Sequence, residues 1–107
     1  MKNLSFIDSK SEYLSNAMQI ICNKWTALIL AELEDGPKRY CQIERKVSSI
    51  NPRILSKRLD QLEENKIIKK IKNPDSSTFC LYTLTTKGLD LIPVIKKMSE
   101  WGNKYFY

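Results

Sequence analysis

Histidine is absent from the 107 residues, and that removes both the commonest general base near neutral pH and the usual partner of cysteine in zinc sites. Cysteine is scarce too: Cys22, Cys41 and Cys80 are odd in number and far apart, which argues against a disulfide framework and against a metal cluster. Small buried thiols in a reducing compartment are the expectation for them. Only 3 glycines occur, with no glycine-rich phosphate loop, and no carboxylates pair at a plausible catalytic spacing. An enzyme is therefore not expected, nor a cofactor, nor a bound metal. No apolar run approaches the ~18 residues that a membrane span needs, and the polar opening "MKNLSFIDSK" lacks the pattern of a signal peptide. A cytoplasmic protein with no membrane partner is expected. There are no repeats and no low-complexity segments.

What is present is an uneven charge. Hydrophobic content of 42% with 28% charged residues is ordinary for a folded domain of this length. The net charge is +6, yet from Pro37 to Lys72 there are 11 lysines and arginines against 4 acidic residues, which leaves 7 against 8 elsewhere. All the excess sits in one third of the chain. Concentrated positive charge is the footprint of a polyanion binder, because neutralising phosphates supplies most of the nonspecific affinity for nucleic acid. A solvated lysine-rich surface is the plainer alternative.

Periodicity gives the elements. Leu14, Ala17, Met18 and Ile21 follow helical spacing, with Ser9 or Ser11 as the expected cap. Asn23 is placed to cap a second helix, "KWTALILAELEDG", apolar on nearly every side and hence expected at the centre of the fold. Gly36-Pro37 ends it. Tyr40, Ile43 and Val47 suggest a short third helix. Asn51-Pro52 is a strong start signal for a fourth, running to about Glu64 with Leu55, Leu59 and Leu62 on one face. "KIIKKIK" and "FCLYTL" flank the turn-forming "NPDSS" and form an antiparallel hairpin. Val94, Met98, Trp101 and Tyr105 then step by 4, 3 and 4 along one face of a last helix, in which Pro93 predicts a kink or break. The order is four helices, a hairpin and a helix: mainly α with a small β-hairpin wing, a winged helix-turn-helix. One domain is expected over 1–107. Its helix-turn-helix spans about 38–65, the wing about 66–84, and the helices for dimerisation about 10–22 and 86–106.

The segments "NKWTALILAEL", "GPKRYCQIERKVSSINPRILSKRLDQLEENKII" and "YTLTTKGLDLIPVIKKMSEWG" resemble the HxlR-type winged helix-turn-helix regulators, relatives of the MarR group. The matching residues are Lys24-Trp25; Gly36, Arg39 and Tyr40; Leu55, Arg58, Leu59, Leu62 and Glu63; Tyr82, Leu84, Thr85 and Gly88; and Trp101-Gly102. Together these segments span about nine tenths of the chain. The resemblance implies a dimeric bacterial-type transcription factor without a catalytic site. Three departures stand out. Cys22-Asn23 replaces the usual pair of glycines. Lys66 stands where a glycine usually follows the fourth helix, so Asn65 is expected to take the left-handed conformation instead. Glu12 occupies the position where many members carry a cysteine, which in some senses electrophiles or oxidants, so that chemistry is not carried over.

A helix-turn-helix reads the major groove with the N-terminal residues of its second helix. Asn51, Arg53, Ser56 and Lys57 are then the candidates for base or near-base contacts. Lys38 and Arg39 at the opening of the third helix, and Lys72 and Asn73 in the wing, are candidates for phosphate. Lys69 and Lys70 cannot share a strand face, so one of them must point away from such a contact. Arg58 lies nearer the apolar stripe, and a structural role is expected for it. Leu14, Met18, Val94, Met98, Trp101 and Tyr105 would pack across a two-fold axis. The expected partners are a second copy of the chain and double-stranded DNA bearing a pseudo-palindromic operator, with a small-molecule effector left open. Cys22 at a helix start is a candidate thiol sensor, the alternative being a small residue filling the junction. The competing function is a winged-helix interaction module whose basic face meets an acidic protein.

Overall fold

The computed structural model describes residues 2–47, 49–75 and 80–106, with side chains from Ser11 onward. Helix α1 (Lys2–Ile21) leads into α2 (Lys24–Leu33), α3 (Tyr40–Lys46) and α4 (Pro52–Glu64); strands β1 (Ile68–Lys72) and β2 (Cys80–Leu84) follow, and α5 (Thr86–Phe106) closes the chain. The strands form a two-stranded antiparallel sheet with Ile68 opposite Leu84 and Lys72 opposite Cys80. Five helices with a hairpin between the fourth and the fifth is the winged helix-turn-helix order that the sequence predicts.

Local signals set most of the boundaries. Asn23 is extended (φ −149°, ψ 123°), and its Oδ1 accepts from the backbone N–H of Trp25 at 2.9 Å and of Thr26 at 3.3 Å, two donors that a helix start leaves open. Gly36 takes φ +132°, a conformation closed to residues with a Cβ, and turns the chain away from α2. Asn51 Oδ1 accepts from Arg53 N at 2.8 Å, with Pro52 in the first helical position.

Helix α2 is central, packing against α1, α3, α4, α5 and β2. Ile29, Leu30 and Leu33 meet Ile43 of α3, Leu55, Leu59 and Leu62 of α4, and Ile67, Ile68 and Leu84 from the hairpin in one core cluster. Burying each such aliphatic side chain contributes about 1.5–3 kcal/mol.

Four expectations need correction. Helix α1 begins at Lys2, so Ser9 and Ser11 lie inside it rather than at its cap. Of the kink or break expected at Pro93, the break does not occur, since helix α5 runs unbroken through it. Pro93 and Leu89, one turn earlier, are both exposed, so the carbonyl that loses its donor lies on the solvent side. Asn65 stays right-handed (φ −81°), and Lys66 itself takes φ 63°. Its N–H bonds Glu63 O at 3.0 Å while Ile67 N–H bonds Leu62 O at 2.9 Å, the paired bonds of a Schellman ending, here formed without glycine. Finally, Cys22, Cys41 and Cys80 are all exposed, because the core is already filled by aliphatic side chains and each thiol falls on an outer face.

A knot at Thr85 joins the end of α4 to the start of α5. Thr85 Oγ1 donates to Lys66 O at 2.5 Å, with Ile67 O also within reach at 3.0 Å, and accepts from Gly88 N at 3.1 Å, while Thr85 N donates to Ile67 O at 3.0 Å. Lys87 Nζ donates to Asn65 O at 2.8 Å. Gly88 approaches so closely that a Cβ there would lie 2.2 Å from Ile67 O.

Candidate nucleic-acid interface

The outer face of α4 is a shallow open groove in which Arg53, Ser56, Lys57 and Asp60 are all exposed. They reach solvent because Leu55, Leu59 and Leu62 occupy the inner face, leaving the residues between them no core to enter. Behind this groove stands α3. Tyr40 Oη lies 3.4 Å from both Pro52 O and Ser56 Oγ, so the phenol spans from α3 to the first turn of α4. Helical spacing places Tyr40 on the apolar stripe of α3 but carries no sign of what its hydroxyl reaches.

Asn51 sits at the entrance to that helix, and the cap commits its Oδ1. Lys38 is not inside a helix start. Its N–H bonds Tyr82 O at 3.0 Å and its carbonyl accepts from Tyr82 N at 2.8 Å, an isolated bridge that adds a third line to the sheet, on the β2 side. No sequence signal marks this single bridge, because it depends on α2 and α3 bringing Lys38 to the hairpin. Arg39 follows as the N-cap position of α3, where its backbone N–H donates to Gln42 Oε1 at 2.8 Å.

In the hairpin, register assigns the lysines. Ile68, Lys70 and Lys72 alternate onto the face shared with Cys80, Tyr82 and Leu84, and Lys69 falls on the other. Lys70 turns toward α4, with Nζ 3.9 Å from Glu63 Oε1 and 5.8 Å from the centre of the Tyr82 ring. Burial pushes the Tyr82 phenol above its ordinary pKa, the nearby Lys70 cation working in the opposite direction. Lys72 is exposed at the end of β1, and Asn73 opens the turn, its Oδ1 accepting from Asp75 N at 2.9 Å. Ser76 and Ser77, the rest of the expected tip, lie outside the described residues.

The dimerisation candidates are all open to solvent: Leu14 and Met18 on α1, and Val94, Met98, Trp101 and Tyr105 on α5. Trp101 packs its ring on Tyr105 (centroids 5.2 Å apart) and on Phe106 (5.8 Å), forming an aromatic knuckle near the end of α5. Leu28 of α2, 48% exposed, joins Ala31, Ile95 and Met98 in an apolar groove between α2 and α5. Leu28 went unremarked in the sequence, since α2 reads as buried all round. Cys22 is exposed in the shallow pocket beside Leu14 and Met18 rather than filling the helix junction. Among the described residues no cluster of acidic or sulfur ligands could hold a metal, and no helix is long and apolar enough to cross a membrane.

Comparison with known proteins bears on this arrangement. YodB of Bacillus subtilis, an HTH-type transcriptional regulator, is 33% identical over 92 residues, covering 86% of this chain and 82% of its own. An uncharacterized HTH-type transcriptional regulator of Methanothermobacter thermautotrophicus is 35% identical over 97 residues, covering 88% and 74%. The solved structure of the reduced form of YodB superposes with a TM-score of 0.77 at 32% identity, covering 87% of this chain and 91% of that one. The redox regulator HypR in its oxidized form gives 0.76 at 28%, covering 85% and 94%. A family described as HxlR-like helix-turn-helix is matched across residues 20–107. From the capped second helix to the end of α5, the chain belongs to the HxlR-like helix-turn-helix family.

Proposed function

We propose that this protein is a transcriptional regulator that binds double-stranded DNA as a homodimer, with α4 in the major groove and the hairpin on the sugar-phosphate backbone. The observation that carries the reading is the exposed α4 face, where Arg53, Ser56 and Lys57 stand uncovered on a helix fixed from behind by the core. Arg53 is one residue into the helix, the place from which base edges are reached, and its fork suits guanine. Lys57, one turn on, meets a phosphate, and Ser56 is short enough to let the helix approach. Asn51 keeps its Nδ2 to offer to the backbone while its Oδ1 holds the cap. Lys38, Arg39, Lys72 and Asn73 supply further phosphate contacts. The names of the relatives, HTH-type transcriptional regulators, support the same reading.

The unpartnered faces of α1 and α5 supply the second half of the proposal. Six apolar side chains left open on two helices are an unusual load for a soluble chain of this size, and pairing them across a two-fold axis covers them. The axis would set two reading helices ~34 Å apart on a pseudo-palindromic operator. Cys22, exposed beside Leu14 and Met18, would then lie at the margin of that interface, where oxidation would be felt by the dimer.

The test is binding-site selection from random duplex, followed by an anisotropy titration on the selected site at several salt concentrations. Affinity should fall steeply as salt rises, and Arg53→Ala should cost about 1–3 kcal/mol with relaxed preference at one base pair of each half-site. Binding indifferent both to salt and to Arg53→Ala would overturn the proposal.

A further inference from the structure

On the other flank of α4, bounded by the end of α1 and the start of α2, lies a cavity of about 290 Å³. Its walls are mostly polar: Gln19 of α1, Thr26 of α2, and Arg58, Gln61 and Asn65 from α4 and its cap, with Glu64 also on the lining. Arg58 is the unusual member. It is partly buried, yet its guanidinium has no carboxylate within ion-pair distance among the described residues. Nη1 donates to Gln61 Oε1 at 2.7 Å, and Nε is shielded from solvent without an acceptor. A cation drawn partly out of water with one neutral partner is under-compensated, and since Nε is sealed off, an anion such as a carboxylate would meet the part of the guanidinium that lines the cavity.

We infer that this cavity is a binding site for a small hydrophilic carboxylate, held by the guanidinium of Arg58 and by the amide and hydroxyl groups of Gln19, Thr26 and Asn65 around it. Three features narrow the ligand. The volume is at the lower end of small-molecule sites, which suits a small ligand rather than a polymer. The polar lining favours a hydroxylated acid over an aromatic one. Arg58 stands roughly 100° around the helix from Lys57, so a duplex lying against Arg53 and Lys57 does not reach it. Gln61 and Glu64 border both this cavity and the outer groove, so the site adjoins the reading face without occupying it.

The site is independent of the DNA-binding reading, and its test uses no DNA. Tartrate is titrated into the ¹⁵N-labelled full chain while the amide signals of Thr26, Arg58 and Asn65 are followed, with erythritol and inorganic phosphate in parallel. Saturable shifts confined to these residues are expected with tartrate in the millimolar range, with none from erythritol and weaker ones from phosphate. Arg58→Met should weaken binding at least about tenfold, as loss of a charge-assisted fork does, while Arg53→Met, on the outer face, should leave it unchanged. Gln19→Glu alters an exposed residue of α1 without touching the core, and its added negative charge should abolish the response even if Arg58→Met folds poorly. The inference is overturned if tartrate produces no saturable shift, if erythritol or phosphate matches it, if Arg53→Met loses as much as Arg58→Met, or if Gln19→Glu binds as the parent does.

Discussion

The stretch from Lys24 to Leu84 and the two long helices that flank it use their apolar residues in opposite ways. In the first, most large aliphatic side chains are buried, Leu28 and Ile54 being the exposed exceptions: Ile29, Leu30, Ile43, Leu55, Leu59, Ile67 and Ile68 are each at or below 1% exposure. In the flanking helices Leu14, Leu89, Trp101 and Tyr105 are more than half exposed, and among the described side chains only Ile21 and Ile92 of the large apolar residues are buried. The whole is elongated, 59 Å along its longest axis against 24 Å along its shortest. A region that closes its own core needs nothing further to hold its shape, and its outer face is free to be basic. A region that leaves its apolar stripe open still has surface for a partner to cover. On the proposed function, the reading surface and the assembly surface would be kept in separate parts of one short chain.

Four variants break or sharpen that contrast, beginning with the largest expected effect. Gly88 sits hard against the Ile67 carbonyl, and Gly88→Ala drives a Cβ into it. It should destabilise the fold by roughly 3 kcal/mol, the upper end of overpacking costs, as read by urea unfolding at fixed protein concentration. Next, Met98→Glu combined with Trp101→Glu charges the α5 stripe without touching the core. The dimer should weaken by about 2 kcal/mol or more in sedimentation equilibrium, while the monomer's circular dichroism stays unchanged. An unaltered association constant would detach the α5 stripe from assembly. Asn51→Ala then removes the cap of the reading helix and should cost about 1 kcal/mol, with faster amide exchange confined to the first turn of α4. The smallest effect has the opposite sign: Lys66→Gly relieves the left-handed backbone strain at the end of α4 and should stabilise by roughly 0.5–1 kcal/mol, raising the urea midpoint slightly.

What could be read from the sequence divides along the same line as local and nonlocal causes. Helix α4 was legible to the residue because Asn51-Pro52 states its start and three leucines state its buried face within thirteen residues. The hairpin was legible from alternation and a turn-rich tip. The Lys38–Tyr82 bridge was not, since neither residue carries any mark of the other across the intervening helices. Lys70 was separated from Lys69 by strand geometry, but its choice of Glu63 over solvent depends on how the hairpin leans on α4. At Lys66 the substitution of glycine suggested that the neighbour would take the strained conformation. The paired hydrogen bonds from Lys66 and Ile67 instead fix which residue must turn, whatever its side chain. The cysteines misled because their usual burial is a statistical habit of small apolar thiols, and this core had no vacancy for them.

The bridge at Lys38 has a mechanical consequence. With both of its peptide groups spent on Tyr82, the segment entering α3 cannot swing unless β2 swings with it. Any pull on the hairpin is therefore delivered to the foot of α3 and on through the Tyr40 phenol to the first turn of α4. On the proposed DNA-binding function, the wing would be a handle on α4 as well as a clamp.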